Sequence, residues 1–293
     1  MKPFKLAASL AVVLSALPFA VFAQEAEEAS SPFSWSVAAT SDYVFRGASQ
    51  TDEGPALQAG LTWTASSGFY AGAWASNVDF GSGGPNVELD TFIGYNTDLG
   101  GDDFVNFDIM LNRYNYLGGN GSDLSFNELY TKLTFAGSFA VTATYTNDVW
   151  ASGEDGWYFG ASKSFSLPAD YSLDVNVGQS LVDSSVARDY TDWGVAVGKS
   201  WGNFNAKLGY VGTNSDGEIN FGELADDRVV LTLTYGMLAG RGSALPPRWK
   251  KAPEGAFFLS GPGLSSSRAR PCRRGPVPSG RNPAGTPRTA AGG

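Results

Sequence analysis

The chain has no histidine and a single cysteine, Cys272, among its 293 residues. Lacking histidine, it lacks the usual general base and the commonest metal ligand, so a Ser-His-Asp nucleophile cannot be assembled. One cysteine excludes an internal disulfide. Long apolar runs are scarce as well. Beyond the first residues no stretch has the length and apolarity of a transmembrane helix, so residence in a membrane would require a β-barrel.

The apolar run that does exist is N-terminal. Lys2 and Lys5 precede an uncharged, mostly apolar stretch over residues 6–20, and Val21-Phe22-Ala23 offers a small-residue cleavage site. A spanning helix needs roughly 20 apolar residues, so this shorter run reads as a cleaved signal peptide over 1–23. A short membrane anchor is the other reading, but no stop-transfer pattern follows. Export then leads to a linker over 24–32 and a long region rich in glycine, Thr, Asn and aromatics, with 19 Phe, 12 Tyr and 8 Trp in the whole chain. Membrane barrels use such aromatics because Trp and Tyr keep a ring in lipid and a polar edge at the headgroups.

Alternation with a period of two runs from about residue 33 to 237, the span assigned to a barrel. Val105, Phe107, Ile109 and Leu111 share one face, opposite Asn106, Asp108 and Asn112. Tyr171, Leu173, Val175 and Val177 oppose Ser172, Asp174 and Asn176, and Val229, Leu231, Leu233 and Tyr235 oppose Arg228, Thr232 and Thr234. The first strand is expected over 34–46, with Tyr43 and Phe45 outward; the third, 69–78, has no assignable inner face. Longer polar joints (47–54, 79–86, 117–125, 150–156, 182–189 and 214–227) alternate with tighter ones at 66–68, 98–103, 136–138, 168–170 and 202–203. Six loops and five turns give twelve strands. The expected fold is all-β: a single antiparallel up-and-down transmembrane β-barrel with short periplasmic turns and long extracellular loops. A soluble Greek-key sandwich or lipocalin-like barrel shares the alternation of residues but has no reason to alternate loop lengths.

Charge is divided unevenly. Residues 24–240 carry 28 acidic and 8 basic side chains, whereas 241–293 carry 10 basic and 1 acidic. The segment 238–293 is rich in Pro, Arg and Gly without periodicity. It reads either as a disordered extension or as the product of a frameshift in GC-rich DNA.

Placing the more polar side of each strand inward puts Asp42, Glu88, Asp90, Asp108, Glu128, Asp174 and Asp192 in the lumen, with Arg46, Lys132, Lys207 and Arg228. A Lys or Arg facing lipid at mid-depth costs roughly 2–4 kcal/mol, which favours that parity. Seven acids and four bases can stand as opposing rows across an open pore or as ion pairs that plug a narrow one. About eight strands leave an interior filled by side chains and about sixteen an aqueous channel, and this barrel lies between. Glu88 and Asp90 share a face and could hold a water or a metal, but two carboxylates lining a wet interior account for them. No catalytic residue, cofactor or metal is therefore expected, and the residues describe a channel rather than an enzyme. A non-conducting barrel acting through its loops, as an adhesin or membrane stabiliser, is the alternative.

Residues 41–60, SDYVFRGASQTDEGPALQAG, carry a more specific signal. They resemble the opening of the TorF-type porins, in a Ser-Asp-Tyr-x-Phe-Arg-Gly-x-Ser-Gln-Thr run followed by Pro-Ala-x-Gln. Further echoes are VELDTFIGY at 87–95, YTDWGVAVGKSWGNFNAKLGY at 190–210 and DDRVVLTLT at 226–234. The resemblance implies a barrel porin of the cell outer membrane. Its expected partners are outer-membrane lipids, the barrel-assembly machinery and small hydrophilic solutes, with no nucleic acid. Barrels of this class normally stop at an aromatic residue that the assembly machinery reads, whereas here more than fifty residues follow Tyr235. Ending the chain after Tyr235 with an added Phe is expected to give equal or better assembly, read as faster gel migration unheated than boiled. Lost assembly would make the tail a working part of the protein.

Overall fold

The computed structural model describes residues 31–100, 105–135 and 138–237. The expected signal peptide and basic tail lie outside these residues. Twelve strands form one closed antiparallel barrel. In chain order they are β1 (Phe33–Thr40), β4 (Ala56–Thr64), β5 (Phe69–Asn77), β6 (Val87–Leu99), β7 (Val105–Leu117), β8 (Phe126–Phe135), β9 (Phe139–Thr146), β10 (Gly156–Leu167), β11 (Tyr171–Val182), β12 (Tyr190–Trp201), β13 (Phe204–Thr213) and β14 (Arg228–Met237). Two further pieces, β2 (Val44–Phe45) and β3 (Ala48–Ser49), pair only with each other inside the first loop. Every barrel strand pairs with its chain neighbours, and β1 closes on β14 from Trp35↔Met237 to Thr40↔Thr232. Closure leaves no strand edge, so each ladder group has a partner without water.

The alternation of side chains decides which face meets lipid. Along β14 every second residue from Val229 to Met237 is exposed, while Arg228, Val230, Thr232 and Thr234 point inward and are half-buried. Outward-facing Leu57, Ile93, Leu111, Val195, Leu208 and Leu231 belong to an apolar belt around the barrel, with Leu57 74% exposed. Such a belt is costly in water and required in hydrocarbon. Aromatic pairs flank it at both rims. Trp35–Tyr235 and Trp201–Phe204, each at 5.8 Å, lie toward the short turns, and Tyr145–Trp157 at 4.7 Å and Trp193–Tyr210 at 5.2 Å toward the long loops. Lys199 points outward beneath the short-turn rim, 4.5 Å from the Tyr171 ring centre, with its amine on the carbonyl of Ala169. That is the snorkelling geometry of an interfacial lysine.

Loop lengths separate the two ends. Connections of seven to fifteen residues alternate with connections of two to five, and the longest two are 41–55 and 214–227. The latter holds α1 (Ser215–Phe221), whose N-cap Asn214 accepts from Gly217 N.

One expectation needs correction, and one left open is decided. The first strand stops at Thr40 instead of reaching Arg46, because Asp42 is held by loop hydroxyls and Arg46-Gly47 form a turn. Tyr43 and Phe45 are therefore buried inside the barrel, not outward. In β5 the large residues Tyr70 and Trp74 face inward and Ala71, Ala73 and Ala75 outward. Tyr70 donates to Asp108 and Trp74 packs on Tyr43, which settles the face that the sequence left unassigned.

A charge in the mid-belt tests this orientation. Leu208 faces Leu231 across the β13–β14 ladder on the outer surface. Leu208→Arg is expected to lower unfolding stability in lipid by about 2–4 kcal/mol. An unchanged denaturation midpoint in vesicles would place that face away from hydrocarbon.

Candidate functional site

The first long connection does not stand out from the rim. It folds into the bore as a hairpin, with Val44 opposite Ser49 and Phe45 opposite Ala48. Its two turn residues, Arg46 and Gly47, have φ of 45° and 81°, the left-handed pair that a two-residue hairpin turn demands. Gly47 is required twice over. Beyond its φ, an added Cβ would collide with Thr213 Cγ2 and lie 3.1 Å from Asp192 Cβ, so the tip is seated directly on the β12–β13 wall.

From that tip Arg46 reaches further. Its Nη2 donates to both oxygens of Glu128, at 2.9 and 3.0 Å, and to Thr144 Oγ1 at 3.0 Å. The guanidinium carbon lies 4.6 Å from the Phe45 ring centre and 4.2 Å from that of Tyr158. Glu128, Thr144 and Tyr158 stand on β8, β9 and β10. In the ring of strands β9 is the sixth from β1 in either direction. A segment that leaves the wall at β1 is thus tied by one side chain to the opposite wall, and the hairpin crosses the bore.

The base of the hairpin is stapled separately. Asp42 accepts from Ser49 Oγ at 2.7 Å and Thr51 Oγ1 at 3.0 Å, and its other oxygen pairs with Arg228 at 2.9 Å. Tyr43 donates to Glu88 Oε1 at 3.2 Å and packs on Trp74. Around these contacts Phe45, Ala56, Val78, Tyr114, Tyr116, Phe126 and Tyr130 make a compact core inside the barrel. The long-loop half of the interior is therefore filled. The short-turn half is not: Ser162, Ser166 and Asn176, all on inner faces, are exposed.

The sequence-derived residues separate into these two levels. Asp42 and Arg46 sit on the inserted hairpin and do not share a strand. Glu88, Asp90, Glu128 and Asp192 lie at the hairpin's level, each at most 3% exposed. Arg228 holds the hairpin's base. Asp108 and Lys132, opposite each other in the β7–β8 register, lie lower, as does the Asp174–Lys207 pair at 2.8 Å. Asp108 also accepts from Tyr70 at 2.7 Å and Asn96 at 2.9 Å. Of the two charge arrangements weighed for the interior, the pairs Arg46–Glu128, Asp42–Arg228 and Lys207–Asp174 belong to the second. At the hairpin level acids exceed bases, and Glu88 Oε2, Asp90 Oδ1 and Asp192 Oδ2 have no hydrogen-bond partner among the described residues.

Several residues of this level escape the sequence reading. Asn112 donates to Asp90 at 3.2 Å, Tyr114 to Glu128 at 3.1 Å, and Thr144 to Glu128 at 2.9 Å. Tyr158 donates to Asp192 at 3.4 Å and lies flat enough that Gly178 beneath it admits no Cβ. For Tyr114 and Tyr116 the signal existed: they continue the polar face of Asn106, Asp108 and Asn112 by parity. An aromatic on that face simply reads as lipid-facing.

Fold and interior together define a twelve-stranded transmembrane barrel whose polar bore is narrowed by its own first loop. The chain belongs to a bacterial family, Gcw_chp, described as bacterial proteins of unknown function, whose model matches residues 25–236. Among solved structures it is similar to the KdgM porin in complex with disordered oligogalacturonate, at 8% identity and a TM-score of 0.46, covering 70% of this chain and 99% of that one. It is also similar to the NanC porin, at 10% identity and 0.46, covering 70% and 100%. A third is the COG4313 outer membrane channel from Pseudomonas putida F1, at 10% identity and 0.42, covering 74% and 99%. No curated protein sequence matches the chain.

The seating of Gly47 is open to a direct test. Gly47→Val places a branched side chain where Thr213 already sits and in a backbone region it disfavours, so the hairpin is expected to leave its seat. A protease that cuts after aromatic residues should then cleave at Tyr43 or Phe45 in the folded variant and not in the parent. Equal protection of both would refute the tight seating.

Proposed function

We propose that the chain is an exported outer-membrane channel of the TorF porin type, passing small hydrophilic solutes by passive diffusion with a weak preference for cations. The observation that carries this reading is the inversion of polarity. The outer face is an apolar belt, while charged and hydroxyl side chains line a bore whose lower half is open to water. A barrel whose only task was to sit in the membrane would gain nothing from a wet interior. Twelve strands leave room beyond what wall side chains fill, and the first loop occupies that room at one level only. By the usual disposition of such barrels, the short turns face the periplasm and the hairpin narrows the bore on the outer side. The excess of lumen acids over bases supplies the cation preference.

A second reading has an observation of its own. The loops over 183–189 and 214–220 flank an open, shallow cleft of about 630 Å³, lined by Arg188, Asp216, Ile219 and Asn220 among others. Coupled with a filled upper bore, this fits a barrel that acts through its loops. Purified protein in a planar bilayer separates the two. Discrete conductance steps, small for a twelve-stranded barrel and larger for K⁺ than for Cl⁻, are expected. A heat-modifiable, correctly folded sample that gives no steps would overturn the channel in favour of the loops.

A further inference from the structure

The Arg46 guanidinium rests in a cradle whose hydrogen-bonding groups all come from the barrel wall, with Phe45 of the hairpin as its neighbour from the loop. Glu128, Thr144 and Tyr158 come from three adjacent strands, and Glu128 is held by wall side chains as well as by Arg46. Thr144 Oγ1 holds Glu128 Oε1 at 2.9 Å and Tyr114 OH holds Oε2 at 3.1 Å, with Tyr130 OH against that of Tyr114. Tyr158, whose ring underlies the guanidinium, is itself tied to Asp192. A carboxylate offering two oxygens to a planar donor, a hydroxyl beside it and an aromatic face below make up the chemistry that recognises a guanidinium.

Its resident fits incompletely. All three hydrogen bonds leave from Nη2, and the buried Nε has no acceptor. Arg46 is also held at positive φ, where a side chain is strained. The cradle belongs to the barrel wall, and the group filling it is a tethered loop residue. If that residue withdraws, Glu128 and Asp192 remain as buried carboxylates beside a vacated flat pocket, and an uncompensated buried charge draws a counter-ion strongly.

We propose that this cradle is a binding site for small cations bearing a guanidinium group, and that Arg46 occupies it as a built-in mimic of the solute. The proposal rests on the channel reading and deepens it: the hairpin narrows the bore by filling the solute's own site, and a guanidinium solute competes with it. The wall would then bind first and pass the solute down to the open lower half.

The test uses the full chain, with the guanidinium ion as probe and urea as its flat, neutral counterpart. Arg46→Ala empties the cradle and Arg46→Lys keeps a cation in it; unheated gel mobility confirms that each is folded. In bilayers Arg46→Ala is expected to show larger steps than the parent, reduced by millimolar guanidinium and not by urea. The parent and Arg46→Lys should be far less sensitive. Independently of conduction, millimolar guanidinium should raise the thermal midpoint of Arg46→Ala alone. Adding Glu128→Gln to Arg46→Ala should weaken that binding by about tenfold or more, because the charge-assisted pair is lost. An Arg46→Ala variant whose midpoint does not respond to guanidinium, or responds equally to urea, overturns the cradle while parent conductance still upholds the channel. A midpoint shift without conductance in any form overturns the channel and the solute role, leaving only a binding pocket.

Discussion

A backbone in hydrocarbon cannot leave an N–H or a C=O unpaired, and everything else in this molecule depends on how that demand is met. The sheet meets it by closing on itself, with β1 meeting β14 residue for residue. Closure turns one face of every strand to lipid and the other to an enclosed space. The same alternation that makes the outer belt apolar therefore collects Asp, Glu, Asn, Ser and Thr in the middle. A twelve-strand ring encloses more volume than those side chains occupy, and the surplus must hold water or more chain.

The molecule does both, at different heights. In one half the hairpin crosses to the far wall and brings an apolar lining of Tyr43 and Phe45 onto Tyr114, Phe126 and Tyr130. In the other the bore stays wet. Charges follow the same division. Lower down, Asp174 and Lys207 pair in partial contact with water, where an ion pair contributes little. Higher up, Arg46 and Glu128 are buried, and such a pair is stable only while both members are present. One arginine on a loop thus ties the inserted hairpin to the far wall.

Much of this architecture could be read from the chain. Alternation and loop lengths are local properties: a residue faces in or out by parity, and a turn is short whatever surrounds it. Hence the twelve strands, the closed up-and-down order and the inner faces of β6, β7, β11 and β14 were legible. Where the reading failed, the deciding contact was remote. The run Ser41 to Arg46 alternates like a strand and became a hairpin, because Asp42 meets Ser49, Thr51 and Arg228 only in the folded barrel. The inner face of β5, open in the sequence, was decided by Tyr70 on Asp108 and Trp74 on Tyr43.

By itself, then, the sequence determined which class of object this is: a closed, antiparallel, lipid-facing barrel with a polar bore and acidic excess. Side-chain parity along a strand is dictated by backbone geometry and needs no partner to be known. Only the tertiary structure decided that Arg46 pairs with Glu128 and Arg228 with Asp42, and that the bore is narrowed at one level and open at another. Those facts join residues 82 and 186 positions apart in the chain, across a ring whose diameter no local pattern encodes. Charge pairing inside a barrel depends on distances across the lumen, and these exist only once the last strand has met the first.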